Sequence, residues 1–210
     1  MLKNKDVMSI ILMKLNDKDL YNFCQINKRA NKLCDDHFWR NRLWKYYGEF
    51  YPQDGQTCKN LYLKLVYLIK EYNYIKDNKS LRKASEKGHL EVVKYLMSLP
   101  DKIDPSAENN FAIRWASLYG HLEVVKYLMS LPKEYGIDPS VKDNEAIRWA
   151  SLYGNLEVVK YLMSLPKEYG IDPSADNNYA IRCANYYKGS KVVKYLLSLP
   201  KEHGIHLINN

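Results

Sequence analysis

The sequence predicts an all-α protein: a small three-helix module, a linking helix, and an α-solenoid of about four stacked helix pairs joined by short, turn-like connections. Three observations predict it. The string HLEVVKYLMSLP at His89–Pro100 recurs at His121–Pro132, returns as NLEVVKYLMSLP at Asn155–Pro166, and survives as KVVKYLLSLP at Lys191–Pro200. Val92, Val124, Val158 and Val192 therefore stand 32, 34 and 34 residues apart, a period that marks a repeat architecture. Gly and Pro punctuate each copy at helix-length intervals, and the first eighty residues carry a different apolar pattern of their own.

In that first part, Ile10, Ile11 and Leu15 line one face of a helix that ends at the capping pair Asn16-Asp17. Leu20 and Phe23 continue the apolar series into a second helix, and Asp35-Asp36 caps a third that carries Phe38, Trp39, Leu43 and Trp44. The result is a three-helix module over residues 1–52 with a small, aromatic-rich core. Residues 53–79 follow as a linking segment, where Leu61, Leu65 and Leu68 lie at helical spacing with Tyr62, Val66 and Tyr67 beside them. One helix bridging the module and the repeats, and capping the first repeat, accounts for this pattern.

Residues 80–210 divide into units near 80–102, 103–136, 137–170 and 171–208. Within a unit, helix one runs from about Ala112 to Tyr119 and stops at Gly120, the residue that takes the left-handed conformation of a helix end without strain. Helix two follows at once. Leu122, Val125 and Met129 recur at helical spacing with Val124, Leu128 and Leu131 alongside, an apolar face too wide for a helix buried on one side only. Such a helix must be sandwiched, so neighbouring units stack. Pro132 ends it by removing a donor and disfavouring helix in the preceding residue. The segment KEYGIDPSVKDNE then carries Gly, Asp-Pro-Ser and Asp-Asn turn signals, and Ile103, Ile137 and Ile171 open the same IDPS string, which becomes IHLI at Ile205.

Composition narrows the function. The formal net charge of +8 sits mostly in the first eighty residues, and only seven of the 32 basic residues are arginine. Richness in Lys, Asn, Ile and Tyr is what an A+T-rich genome produces. The repeats carry no dense basic face, which argues against a nucleic-acid partner. No apolar run approaches a membrane span, and the N-terminus lacks a signal-peptide cleavage pattern. Cys24, Cys34, Cys58 and Cys183 show no CxxC pairing, which argues against a zinc site or a disulfide framework. Catalysis finds no support: there is no phosphate-binding glycine loop, and no His stands beside a Ser or Cys with a third orienting group. No cofactor, no metal and no enzymatic activity are expected. His203 and His206 flank a C-terminal turn where a metal site is conceivable but disfavoured.

The stretch FAIRWASLYGHLEVVKYLM at Phe111–Met129, echoed from Glu145 and from Tyr179, resembles ankyrin repeats, whose pattern leads from TPLHxAA into GHLEVVKLLL. Here the Thr-Pro opening is replaced by Phe111-Ala112, Glu145-Ala146 and Tyr179-Ala180, and the customary His by Arg114, Arg148 and Arg182. The resemblance covers residues 80–208 and implies a protein-binding habit rather than a reaction. Residues 6–51, with VMSIILMKL, NDKDLYNF, CQINKRANKLC and DDHFWRNRL, are similar to an F-box in which Asp6-Val7 stands for the usual Leu-Pro opening. The combination resembles the F-box and ankyrin proteins of giant, mimivirus-like DNA viruses of amoebae, with an A+T-rich protist as the other source. It implies a substrate receptor: the F-box docks a Skp-type adaptor of a cullin ubiquitin ligase, and the repeats hold a target, of the host if the source is viral. The location that fits is the cytoplasm. The alternative is a plain ankyrin scaffold whose N-terminal helices are a cap.

The site residues follow from the two resemblances. Met8, Ile11, Leu12, Leu15, Leu20 and Trp39 form either the module's core alone or an adaptor-binding surface as well. In ankyrin repeats the two residues before the helix-turn glycine face the inner, concave surface, which here are Glu86-Lys87, Leu118-Tyr119, Leu152-Tyr153 and, in the longer last unit, Tyr186-Tyr187. A row of Leu and Tyr suggests a target-binding groove, though Leu118 and Leu152 equally suit packing between units. Trp115 and Trp149 match a core position of the family, and His89 and His121 the start of helix two.

Overall fold

The computed structural model describes residues 36–47, 57–99, 103–186 and 190–206, side chains at 36, 43–47 and 190 excepted, and its regular elements over that range are all helices. The chain divides into two compact units, Met1–Tyr74 and Ile75–Asn210. In the first, helix α1 (Asp36–Tyr47) packs on α2 (Cys58–Tyr72). The two helices expected before Asp36 lie outside the described residues.

Helix α2 begins at Thr57, whose hydroxyl accepts a hydrogen bond from the Asn60 amide at 3.2 Å, and ends at Asn73 in the left-handed region. Its predicted apolar stripe is buried at Leu61, Leu65 and Leu68, while Tyr67 on the opposite face is 60% exposed. Against the stripe lie Phe38 and Trp39 of α1, in edge contact at 5.3 Å, with Trp39 also 5.5 Å from the Tyr62 ring. Arg42 is buried with them and donates from Nε to the Tyr62 hydroxyl at 2.9 Å, so the buried charge has a polar partner.

The second unit is a run of helix pairs: α3 (Asn78–Lys87) with α4 (Leu90–Met97), α5 (Ala107–Leu118) with α6 (Leu122–Ser130), α7 (Val141–Leu152) with α8 (Leu156–Met163), and α9 (Ala175–Tyr186) with α10 (Ser190–Leu197). The first helix of each pair packs on the first helix of the next, and the second helices stack likewise. Small side chains allow this approach. Ala112, Ala116, Ala146, Ala150, Ala180 and Ala184 are at most 4% exposed, and each faces a neighbouring unit. In helix two the sandwich residues are Val124, Val125 and Leu128, with Val158, Val159 and Leu162 one unit on, all within 1% exposure. Leu122, Met129 and Leu131, expected in the same face, are half-buried.

Gly88, Gly120 and Gly154 close helix one at φ between 70° and 75°, as the turn requires. After Pro132 and Pro166 the chain makes a 3-10 turn, Lys133–Tyr135 and Lys167–Tyr169, that the sequence reading did not specify. The IDPS string is a side-chain-locked turn: the Asp138 carboxylate accepts from the Ser140 amide at 2.8 Å and its hydroxyl at 2.7 Å, and Asp104 and Asp172 do the same for Ser106 and Ser174. No helix among the described residues is long and apolar enough to cross a membrane.

Candidate functional site

Helix one starts later than its nominal boundary. Three successive residues in each of the last three units, Glu108-Asn109-Asn110, Lys142-Asp143-Asn144 and Asp176-Asn177-Asn178, have φ between 54° and 61°, and the right-handed helix begins after them. Asn and Asp tolerate this region because their short side chains bond locally. The third Asn of each trio does more. Its Oδ1 accepts the backbone amide of the next unit's turn: Asn110 from Asp138 and Asn144 from Asp172 at 2.9 Å each, and Asn178 from His206 at 3.3 Å. Asn78 serves Asp104 in the same way at 2.9 Å. From the other end of the amide, Asn110 and Asn178 donate to the carbonyls of Gly136 and Gly204. His206, weighed above as a metal ligand, is part of this clamp, and no group of three or more potential metal ligands occurs among the described residues.

The arginines at the family's His position build a second ladder. Arg82 pairs with Glu108 at 2.9 Å, Arg114 with Glu145, and Arg148 with Asp176, each reaching the left-handed trio or helix start of the following unit. Arg114 also donates from Nε to the Asn109 carbonyl at 2.8 Å and from the guanidinium to the Glu108 carbonyl at 3.0 Å, tying down its own trio. Aromatic rings sit between the rungs. Arg82 and Arg114 flank Phe111 at 4.8 and 5.4 Å, and Arg148 and Arg182 flank Tyr179 at 4.8 and 5.8 Å. Each bridge is made by a long, permanently charged side chain with a planar fork.

Of the predicted row, Tyr119 and Tyr153 hold the same place on successive units and are 47% and 62% exposed, while Tyr186, 80% exposed, holds the place of Leu118 and Leu152 in the fourth unit. Tyr119 rests on an aromatic cluster. Trp115 stacks on Phe111 at 4.7 Å, meets Trp149 edge-on at 6.0 Å and touches the Tyr119 ring at 5.7 Å. The backbone beneath is fixed as well: Asn155 donates to the carbonyls of Ser117 and Leu118 at 3.0 and 2.8 Å, and His121 Nε2 bonds the Glu86 carbonyl at 2.9 Å. His121 therefore has a structural place at the start of helix two. Leu118 is buried and Leu152 half-buried, so these two contribute packing as well as surface. Trp115 and Trp149 are half-buried, between core and surface. In the first unit the equivalent residues are Glu86 and Lys87, paired with each other at 3.3 Å. Tyr187 lies outside the described residues, as do Met8, Ile11, Leu12, Leu15 and Leu20. Trp39 is described, and its side chain is 1% exposed.

An open groove of about 550 Å³ lies elsewhere, between the connections of the second and third units, lined by Leu128, Leu131, Pro132, Ile137 and Tyr169 and spanned by the Lys133–Glu168 ion pair at 2.7 Å. None of the exposed tyrosines of the row lines it.

The helix pairs have the ankyrin-repeat fold. The ankyrin-repeat family model of three copies matches residues 56–143. The crystal structure of an ankyrin repeat family protein from Legionella pneumophila is similar in fold, with a TM-score of 0.54 and 23% identity over 94% of this chain. The chain spans 53% of the length of that protein. No curated protein matches the sequence. Within that fold the array carries its Asn and Arg ladders. The signal for both ladders was present: Asn78, Asn110, Asn144 and Asn178 share the 32, 34, 34 step of the valines, and so do the arginines.

Proposed function

We propose that this chain is a non-catalytic receptor that holds a partner protein on the helix-one face of its ankyrin repeats. The observation that carries the reading is the pair Tyr119 and Tyr153, exposed aromatics in register on successive units, with Tyr186 exposed at the end of helix one in the fourth. Tyr supplies contact area at low entropic cost, and such residues dominate binding energy when desolvated. In the same reading residues 1–52 dock a Skp-type adaptor through Met8, Ile11, Leu12, Leu15, Leu20 and Trp39, so that a cullin ligase in the cytoplasm modifies the captured target. Its support is the F-box resemblance of that segment. The plain scaffold is the second reading, and the burial of Trp39 against Tyr62 favours it, since a side chain spent on its own unit is not offered to an adaptor.

Affinity purification from host-cell lysate with the intact chain, a Leu15→Asp/Leu20→Asp variant and a Tyr119→Ser/Tyr153→Ser variant tests both. The receptor reading expects adaptor and cullin to be lost with the first variant and the remaining partners with the second, with circular dichroism unchanged. Recovery of partners but never of adaptor or cullin leaves the scaffold. Partners indifferent to the tyrosine variant overturn the binding surface itself.

A further inference from the structure

The helix-one face changes character from unit to unit, and the change says what kind of segment it takes. Phe111, Trp115 and Tyr119 follow one another at one-turn intervals along α5. At the same positions, 32 residues earlier, α3 carries Lys79, Lys83 and Lys87, and 34 residues later α7 carries Glu145, Trp149 and Tyr153. All three lysines are exposed. Helix α3 packs on α5, and contacts at both ends set the lysine and aromatic stripes side by side. At one end the Arg82 guanidinium lies over the Phe111 ring at 4.8 Å; at the other the Glu86 carbonyl bonds His121 Nε2 at 2.9 Å, and the His121 ring stacks on Tyr119 at 6.3 Å. The carboxylates around the lysines are engaged. Asp77 accepts the Ser80 amide at 2.7 Å, Glu86 pairs with Lys87 at 3.3 Å, and Glu108 pairs with Arg82 at 2.9 Å. Glu145, the acid of the third stripe, is held by Arg114 with its side chain 16% exposed. The face is therefore polarised, cationic on the first unit and aromatic on the second and third.

We infer that the partner segment is an extended peptide with acidic residues at one end, which meet Lys79, Lys83 and Lys87, and aromatic or aliphatic residues after them, which lie over Trp115 and Tyr119 and then over Trp149 and Tyr153. This rests on the binding surface of the proposed function and names its partner class. Packed helices stand about 10 Å apart and an extended chain advances about 3.3 Å per residue, so the step from one stripe to the next takes about three residues. Lysines suit the acidic end, because their flexible ammonium groups meet a short run of carboxylates without fixing its geometry. Beyond them the face continues in rings, which fits the side chains of a peptide better than a phosphate backbone that needs cations along its length.

The test is selection of a 12-residue random peptide library on phage against the full chain, followed by anisotropy titration of the enriched peptides. Enrichment of Asp or Glu about three positions from an aromatic or aliphatic residue is expected. Lys79→Gln/Lys83→Gln/Lys87→Gln should weaken binding about tenfold with circular dichroism unchanged, while Lys126→Gln/Lys160→Gln/Lys194→Gln, the same charge loss at exposed positions of helix two, should change little. Lys79→Glu/Lys83→Glu/Lys87→Glu should regain affinity for the same peptides made with Lys in place of Asp and Glu. Enriched peptides that are neutral or basic, sensitive to Tyr119→Ser/Tyr153→Ser but not to the lysine variants, overturn the acidic partner while leaving the binding surface standing. A single-stranded oligonucleotide that binds more tightly than the best peptide and depends on the three lysines also overturns it. Peptides indifferent to the tyrosine and lysine variants alike, or a selection that enriches nothing, overturn both readings.

Discussion

The Asn clamp gives the sharpest test of how these units are joined, because it predicts the sign of a difference and not only its size. Asn144 is 8% exposed, has φ 61° and ψ 39°, and accepts the Asp172 amide at 2.9 Å across the boundary between the third and fourth units. Asn144→Ala removes an intramolecular hydrogen bond of about 1 kcal/mol and forces a Cβ without a local acceptor into the left-handed region, for about 1 kcal/mol more. Asn144→Gly loses the same bond but adopts the backbone freely. Alanine should therefore cost about 2 kcal/mol and glycine about 1 kcal/mol. In an ordinary helix interior the order is reversed, with glycine worse than alanine by about 1 kcal/mol. Urea denaturation of the full chain, followed at 222 nm and by tyrosine and tryptophan fluorescence, measures both. Because a repeat array couples nearest neighbours, the alanine variant should also broaden the transition as the fourth unit loosens first. A result in which alanine is the more stable variant would refute the left-handed trio and the clamp built on it.

Three further outcomes follow from the same geometry. Gly120→Ala and Gly154→Ala share the strain of φ 75° and φ 73°, but a Cβ at Gly120 would lie 2.6 Å from Asn155 Oδ1, whereas none has a neighbour within 4 Å at Gly154. Gly120→Ala should therefore be the worse by about 1–2 kcal/mol in thermal denaturation, the strength of the two Asn155 bonds it displaces. Ser117 is fully buried with an unpaired hydroxyl, as are Ser85 and Ser151, so Ser117→Ala should stabilise by about 1 kcal/mol and raise Tm by about 3 °C. Burial, reinforced by Tyr135, pushes Tyr127 up to about 12 from its ordinary 10. The unfolded chain then loses this proton first, so its contribution is fully present below pH 10 and disappears between pH 10 and 12. The native chain should lose about 1 kcal/mol more over that interval than Tyr127→Phe does, the phenol being half-exposed and screened.

How much of this was legible depends on the length scale of the interaction. The 32 to 34 residue step announced stacked helix pairs because burial is a collective demand: Val124, Val125 and Leu128 have no reason to share one helix unless both sides are covered. The glycine and proline boundaries were equally plain, since each reflects a backbone property of a single residue. The clamp was not read, although Asn110 and Asn144 stand in the repeated string, because Asp-Asn strings ordinarily mean a solvated turn and nothing local reveals a bond to residue 138 or 172. The Arg substitution was visible but its consequence was not. A helix-capping side chain, an ion pair and a ring contact are all open to an arginine, and only the neighbouring unit decides that Arg114 makes all three. The exposed Tyr119 and Tyr153 were found by register, while the burial of Leu118 required knowledge of what lies next to it.

That dependence on the neighbour bears on function. The second and third units share the string AIRWASLYG, yet Leu118 is buried and Leu152 half-buried, and the tyrosines that follow are 47% and 62% exposed. Identical residues thus present different surfaces because the unit on each side differs. Stacking between units rests on Ala116, Ala150, the valines and the two ladders, and Tyr119 is tied to the array through the Trp115 and His121 rings. The array sets how much of each tyrosine is offered. From the second unit to the third the exposed tyrosine gains area, so in the proposed reading the third unit offers more surface to bury.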